Sequence, residues 1–227
     1  MNEVTDNCVL FFVKYPVQGQ VKTRLAAELA EEVVVELYKN FVLDTLSTIR
    51  QLNVPFRICF HPGSAGDNVK EWLGERYKYI AQEGSNLGQR MKNALAQAFE
   101  EHFSRAILIG SDSPDLPADL FIQALQSLES HHAVIGPSSD GGYYLIGFSK
   151  ARFLPDAFND ISWSTENVFQ QTLDVFEGHS SKVHILPQWF DVDTPVDLNE
   201  LIVRNRNTVF NNSKTFAYLL QIREREV

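Results

Sequence analysis

Aspartates at positions 112, 115, 140, 191 and 193, and cations at 14, 22, 24 and 90, are the residues whose types and settings could do chemistry. Gly110-Ser111-Asp112-Ser113-Pro114-Asp115 directly follows the apolar run at 106–109. A carboxylate just past a buried strand suits a hard cation, since Mg²⁺ and Mn²⁺ take oxygen ligands and commonly join protein carboxylates to substrate phosphates. Asp112 is nearer the strand end and is the expected metal ligand; Asp115 reads as a turn or capping residue. Phe190-Asp191-Val192-Asp193-Thr194-Pro195 supplies two more carboxylates. Asp191 and Asp193 alternate, so they share one face of an extended segment. Asp193 is expected either to complete the cation site with Asp112 or to cap the helix that Thr194-Pro195 opens.

The cations sit in a different setting. Lys14 ends the first apolar run, and the loop after it carries Gly19, Lys22, Thr23 and Arg24 before a helical pattern. Backbone N–H groups at a helix start, with cations beside them, make a plausible phosphate cradle. The loop has neither the Walker A nor the GxGxxG pattern, so a solvated turn is the alternative. A third segment, Gly136 to Tyr144, contains Asp140-Gly141-Gly142-Tyr143-Tyr144. It reads either as a hairpin turn or as a place where a ligand approaches the backbone, with Asp140 or the tyrosines in contact. Trp163, in a polar loop before another helix, could wall the same pocket.

Something must position these groups, and the elements around them alternate. CVLFFV at 8–13 is a continuous apolar run, as in a strand buried on both faces. A helix is expected from 23 to about 50, where Leu25, Leu29, Val33, Leu37 and Phe41 recur every four residues. Further strands are expected at 56–60, 79–81, 106–109, 133–136, 143–148 and 182–186, with a short strand or edge at 190–193. Helices fall at 69–73, around 87–99, after the loop at 110–117 to about 129, at 166–176, and from 195 onward. Without repeats or linkers, the economical organisation is one domain over 1–227. Its fold class is α/β, with a Rossmann-like mixed, mostly parallel sheet and helices on both faces. In such sheets ligands bind beyond the carboxyl ends of the strands, where the groups above lie.

The composition excludes several classes. Hydrophobic residues make up 44% and charged residues 22%, which supports a core and argues against disorder. A net charge of −9 disfavours nucleic-acid binding, though not a small phosphate ligand in a local cationic pocket. Two cysteines, both in apolar runs, read as buried thiols and fit a cytoplasmic location. No cationic signal segment opens the chain and no run reaches membrane-spanning length. Six scattered histidines without HExxH or a Cys/His cluster argue against a zinc centre, and no GxSxG elbow is present.

Six segments in order, FVKYPVQGQVKTRLA, QEGSNLGQRM, ILIGSDSPDLP, GPSSDGGYYLIGF, ISWSTENVF and FDVDTPVDL, resemble the bacterial and archaeal family of domain of unknown function 2064. That family is similar to nucleotide-diphospho-sugar transferases of the glycosyltransferase A fold, and some members are associated with arsenosugar biosynthesis. The resemblance spans roughly residues 8–198. It implies a nucleotide-phosphate site at Lys22 and Arg24, a cation on Asp112, a later ligand at Asp193, and donor or acceptor contacts from Asp140 to Tyr144. Gln20, Asn86 and Gln89 depart from the family's usual basic and acidic residues, and Arg90 remains a candidate substrate contact.

Three functions compete. Glycosyl transfer from a nucleotide sugar to a small-molecule acceptor is favoured, with Mg²⁺ or Mn²⁺ and the loop cations stabilising the diphosphate and Asp140 taking the acceptor proton. Nucleotidyl transfer, with pyrophosphate release from a nucleotide as in cofactor-biosynthesis guanylyltransferases, is the alternative. A non-catalytic nucleotide-binding module is third.

Overall fold

The computed structural model describes residues 6–225; Met1–Thr5, part of the polar start read above as lacking a signal, and residues 226 and 227 lie outside the described residues. Among the described residues seven strands form one sheet: β1 (Asn7–Lys14), β2 (Phe56–His61), β3 (Tyr79–Ala81), β4 (Arg105–Ile109), β5 (Ala133–Pro137), β6 (Tyr143–Ser149) and β7 (Val183–Ile185). Their order is β3-β2-β1-β4-β6-β5-β7. Neighbours run parallel except around β6, which is antiparallel to both β4 and β5. The sheet is thus mixed and mostly parallel. The carboxyl ends of β1, β2, β3, β4 and β5 all open on one edge.

Strand β1 shows why both faces must be covered. Val9, Phe11 and Val13 join one hydrophobic cluster, while Cys8, Leu10 and Phe12 join another. The first cluster is closed by α1 (Glu31–Gln51), α2 (Gly66–Leu73) and α4 (Ala118–Ser127). The second is closed by α3 (Leu87–Glu100) and α5 (Val168–Gly178). A third joins α1 to α6 (Pro195–Asn205) and α7 (Lys214–Arg225) around Phe41, Leu201 and Phe216. Both cysteines are buried and free. Among the described residues no helix is long and apolar enough to cross a membrane.

Two expectations fail locally. The helix read from residue 23 starts only at Glu31, after a single 3₁₀ turn at Leu25–Ala27. Ala30 is extended at φ −58°, ψ 140°, which breaks the helix although the apolar spacing runs through it. Lys22, at φ 46°, also lies outside helical space. Lys22, Thr23 and Arg24 therefore stand at no α-helix N-terminus. The segment at 190–193 forms no strand; its neighbour Trp189 makes one isolated bridge to Ser138.

Candidate active site

A cleft of about 850 Å³ opens at the carboxyl edge of the sheet. From β1 it takes Lys14, followed by Gln20–Arg24; from β2, His61; after β3, Gln82; and from α3, Arg90 and Met91. The loop after β4 gives Ser111, Asp112 and Ser113. Asp140, Gly142, Tyr143, Tyr144, Trp163, Asp191 and Asp193 complete the wall. Of the residues singled out from sequence, Gly19, Asp115 and Gly141 do not line it. Gly19 turns the chain at φ 69°.

Backbone and side-chain bonds bring the distant carboxylates together. The Val192 N–H donates to the Asp112 carbonyl at 2.9 Å, laying the tail segment against the β4 loop. Val192 itself is fully buried and anchors that contact. The Asp193 carboxylate then meets the Asp112 carboxylate across one cation, the ammonium of Lys22. Lys22 is ion-paired with Asp112, and its Nζ lies 2.8 Å from Asp193 Oδ1. Its side chain is 3% exposed, against 51% for Asp112 and 36% for Asp193, so the lysine lies beneath and the carboxylates face the cleft. Burial opposes the lysine's charge, but Asp112 and Asp193 outweigh it and hold its pKa above the ordinary range. Burial likewise works against ionised Asp193, yet Lys22 and then Arg24 keep its carboxyl below the usual carboxylate range.

Asp193 does not cap the next helix. Thr194 does: its side chain accepts from Asp197 N–H while the Asp197 carboxylate accepts from Thr194 N–H, a capping box. Asp197 also accepts the Asp193 N–H at 3.0 Å, fixing the backbone beneath the site. Asp191 is held by Ser113, whose hydroxyl donates at 2.8 Å. Burial, reinforced by the charge of Asp112, pushes the Asp191 carboxyl up to about 7.

Asp115 is not an idle turn residue. Its side chain is 1% exposed and accepts from Arg204 Nε at 2.7 Å, Arg204 Nη2 at 3.0 Å, Asn205 Nδ2 at 2.6 Å and Trp189 Nε1 at 3.2 Å. It ties the loop bearing Asp112 to α6 and to the tail bearing Asp191 and Asp193. Tyr38 braces the other side: its hydroxyl accepts from Lys14 N–H at 2.9 Å and shares a 3.0 Å hydrogen bond with Ser111 Oγ. Burial raises the Tyr38 phenol to about 12, so it stays neutral.

Asp140 commits Oδ1 to its own turn, accepting from Ser138 Oγ and, at 2.9 Å, from Gly142 N–H. Tyr144 spends its hydroxyl on the Pro187 carbonyl at 3.0 Å. Tyr143 instead meets Trp163 edge-on, ring centroids 6.5 Å apart. Trp163 packs on Gly88, where an added Cβ would stand 2.5 Å from the indole. Gly141, at φ 88°, lies so close to the Glu166 backbone that a Cβ would fall 2.1 Å from its carbonyl oxygen. Two glycines thus hold the Trp163 loop against the cleft.

The cations on the opposite wall are less compensated. Lys14 Nζ donates to the Gln20 carbonyl at 2.5 Å. Arg90 Nε is buried without a hydrogen-bond partner. Partial burial, then the charges of Arg90 and Lys14, lower the pKa of His61. Thr23 and Arg24 are exposed at the rim. His61, Tyr38 and Ser113 escaped the sequence reading. His61 had a usable signal, since it ends a buried strand at the edge where Asp112 also lies.

This sheet, with its cleft at the carboxyl edge, has the fold of the nucleotide-diphospho-sugar and nucleotidyl transferases, a class of enzymes. A candidate nucleotide-diphospho-sugar transferase from Desulfovibrio desulfuricans G20 superposes with a TM-score of 0.93 at 43% identity, covering 98% of this chain and 96% of that one. The chain belongs to the family of domain of unknown function 2064, described as an uncharacterized protein conserved in bacteria, whose model matches residues 45–165. A 2-phospho-L-lactate guanylyltransferase from Methanocaldococcus infernus is 26% identical over 190 residues, 82% of this chain and 80% of its own length. A Mycobacterium tuberculosis H37Rv protein in complex with manganese shares the fold at a TM-score of 0.52 and 16% identity, covering 87% of this chain and 97% of that one.

Proposed function

We propose that this protein is a divalent-cation-dependent nucleotidyltransferase, in which an acceptor oxyanion attacks the α-phosphorus of a nucleoside triphosphate and pyrophosphate leaves. The observation that carries the reading is the meeting of Asp112 and Asp193 on one cation, at the edge where a ligand would lie. The likeness to guanylyltransferases favours this reading over glycosyl transfer, which led on sequence alone. Two carboxylates that grip an ammonium together offer hard oxygen donors suited to Mg²⁺ or Mn²⁺, and the fold neighbour with manganese is consistent with that choice. A cation on Asp112 and Asp193 would supply charge neutralisation at the reacting phosphates. Arg24, Thr23 and the neighbouring backbone bind and orient the phosphate chain. Lys14 and Arg90, from the facing wall, hold the rest of the nucleotide. Asp191, largely buried beside Ser113, keeps the floor of the cleft in register. Trp163 and Tyr143 form the apolar wall against which a small acceptor rests.

Glycosyl transfer is the second reading. It is favoured by Asp140, whose Oδ2 is left free beside that wall to take a proton from an acceptor hydroxyl. Product analysis separates the two. The protein is incubated with Mg²⁺ or Mn²⁺ and either each nucleoside triphosphate plus small phosphorylated hydroxy acids, or nucleotide sugars. Pyrophosphate release dependent on a phosphorylated acceptor supports nucleotidyl transfer; nucleoside diphosphate from a nucleotide sugar, without pyrophosphate, overturns it in favour of the second reading.

A further inference from the structure

Lys22 occupies an unexpected position. The sequence assigns it to substrate phosphate and assigns Asp112 and Asp193 to a cation, yet the structure joins all three. The ammonium contacts Oδ1 of both aspartates, lies over the Phe41 ring at 5.8 Å, and is almost wholly removed from solvent. The carboxylates carry two negative charges and Lys22 returns one of them at contact distance. A divalent cation held by the same two carboxylates would compete for the place the ammonium takes.

We infer that Lys22 is a built-in competitor for the divalent cation: it holds the cation seat in the free protein and must leave the two carboxylates when the metal binds. This rests on the reading of Asp112 and Asp193 as the cation ligands. The exchange has a charge logic. With a divalent ion in the seat, the pair is neutral and the displaced ammonium is free to turn toward substrate phosphate. Without phosphate, the displaced lysine would be a buried or newly exposed cation with no counter-ion. Metal alone therefore binds weakly, and metal with nucleotide binds well. The phosphate contact read from the sequence thus becomes one of two states of this residue. Lys22 sits at φ 46° in a loop without regular structure, between a buried Val21 and the buried Leu25, so its side chain can move while its backbone stays anchored.

The test is Mn²⁺ binding to the full-length protein, read from the electron paramagnetic resonance of free Mn²⁺ with no nucleotide present. Lys22→Met should bind Mn²⁺ about tenfold more tightly than the native protein, because a unit positive charge at contact distance from the ligands has been removed. Lys22→Arg, which keeps the charge, should bind as weakly as the native protein. Unchanged or weaker binding in Lys22→Met overturns the inference. A second measurement is made on the native protein: the ¹⁵Nζ resonance of Lys22, assigned by its loss in Lys22→Arg. It should shift on saturation with Mg²⁺. A resonance unmoved at saturating Mg²⁺ places the metal on the outer carboxylate oxygens and also overturns the inference. Asp112→Asn and Asp193→Asn separate the two levels. If both still bind Mn²⁺ like the native protein, the cation-site reading itself fails. If both lose it while Lys22→Met is unchanged, only the competition fails.

Discussion

Asp115 and Arg24 illustrate how far a side chain's neighbours govern what its loss does. Asp115 is buried with four donated hydrogen bonds, and its partners stand up to 90 residues away. Its residue type and local spacing read as a turn; nothing nearby in the sequence announces Arg204. Removing one member of a buried, hydrogen-bonded pair leaves the other uncompensated, at a cost of about 3–5 kcal/mol. Arg204 retains some solvent contact, so Asp115→Ala is expected near the lower end, read as a shift in the urea midpoint at constant m-value. Asp115→Leu should be no better, because Asn205 and Trp189 also lose their acceptor. Arg24 is the opposite case. It is exposed at the cleft rim, so Arg24→Ala should leave stability unchanged and weaken nucleotide binding by about 1.5–3 kcal/mol, the range of a hydrogen bond to a charged group. Isothermal titration of native protein and variant with nucleotide and Mg²⁺ checks this; equal affinities would remove Arg24 from the site. Lys22, also read as a surface loop residue, is instead buried, and no spacing rule says which loop cation will fall between two aspartates.

Among the elements, the strands were the most legible, because burial on both faces forces continuous apolar runs and strand ends nominate site residues. Asp112, which lines the cleft, was singled out that way, and Asp193, which shares Lys22 with it, through the acidic alternation before a Thr-Pro helix start. The first helix was misplaced because apolar spacing at Leu25 and Leu29 continues across an extended Ala30, where side chains pack on the core without forming a helix. Packing of the Trp163 loop was invisible, since it depends on what two glycines lack. Gly88→Ala would drive a methyl into the indole, 2.5 Å away, and must displace that wall. The expected result is a raised KM for the acceptor with nucleotide affinity retained, measured by steady-state kinetics at saturating nucleotide. A lost nucleotide affinity with unchanged acceptor KM would assign this wall to the nucleotide instead. At the far end of α3, Glu101 joins Arg57 of β2 to Lys78 beside β3, each at 2.8 Å. Burial alone would raise its pKa, but Lys78 and Arg57 lower it on balance. A carboxyl depressed in the folded state adds stability above its unfolded pKa, about 4.3, and loses it as pH falls through the folded value. Glu101→Gln should therefore be less stable than the native protein at pH 7, with the difference shrinking below about pH 4 in parallel denaturation curves.

Across the whole molecule, charge is sorted over the cleft. Lys14 and Arg90 line the half above β1, β2 and β3, whereas Asp112, Asp140, Asp191 and Asp193, joined by Lys22 and Arg24, line the half beyond β4 and β5. The chain is acidic overall at −9, so the cationic half is a local exception built against the general field. Such a division holds an anionic nucleotide on one side and a cation on the other, and each lowers the electrostatic cost of the other's arrival. The core clusters lie behind the cleft on both faces of the sheet. Ligands should therefore stabilise the folded protein together more than the sum of their separate effects. A ligand at about 100 times its dissociation constant adds roughly 2.7 kcal/mol, and each kcal/mol moves the midpoint of a chain this size by roughly 2–4 °C. A thermal scan should accordingly rise by about 5–10 °C with one class of nucleotide plus Mg²⁺ or Mn²⁺, and by much less with either alone. Equal shifts from nucleotide with and without the cation would mean that the two halves of the cleft act independently. No shift with any nucleotide would leave the sorted charges to some other anion and remove the transferase reading.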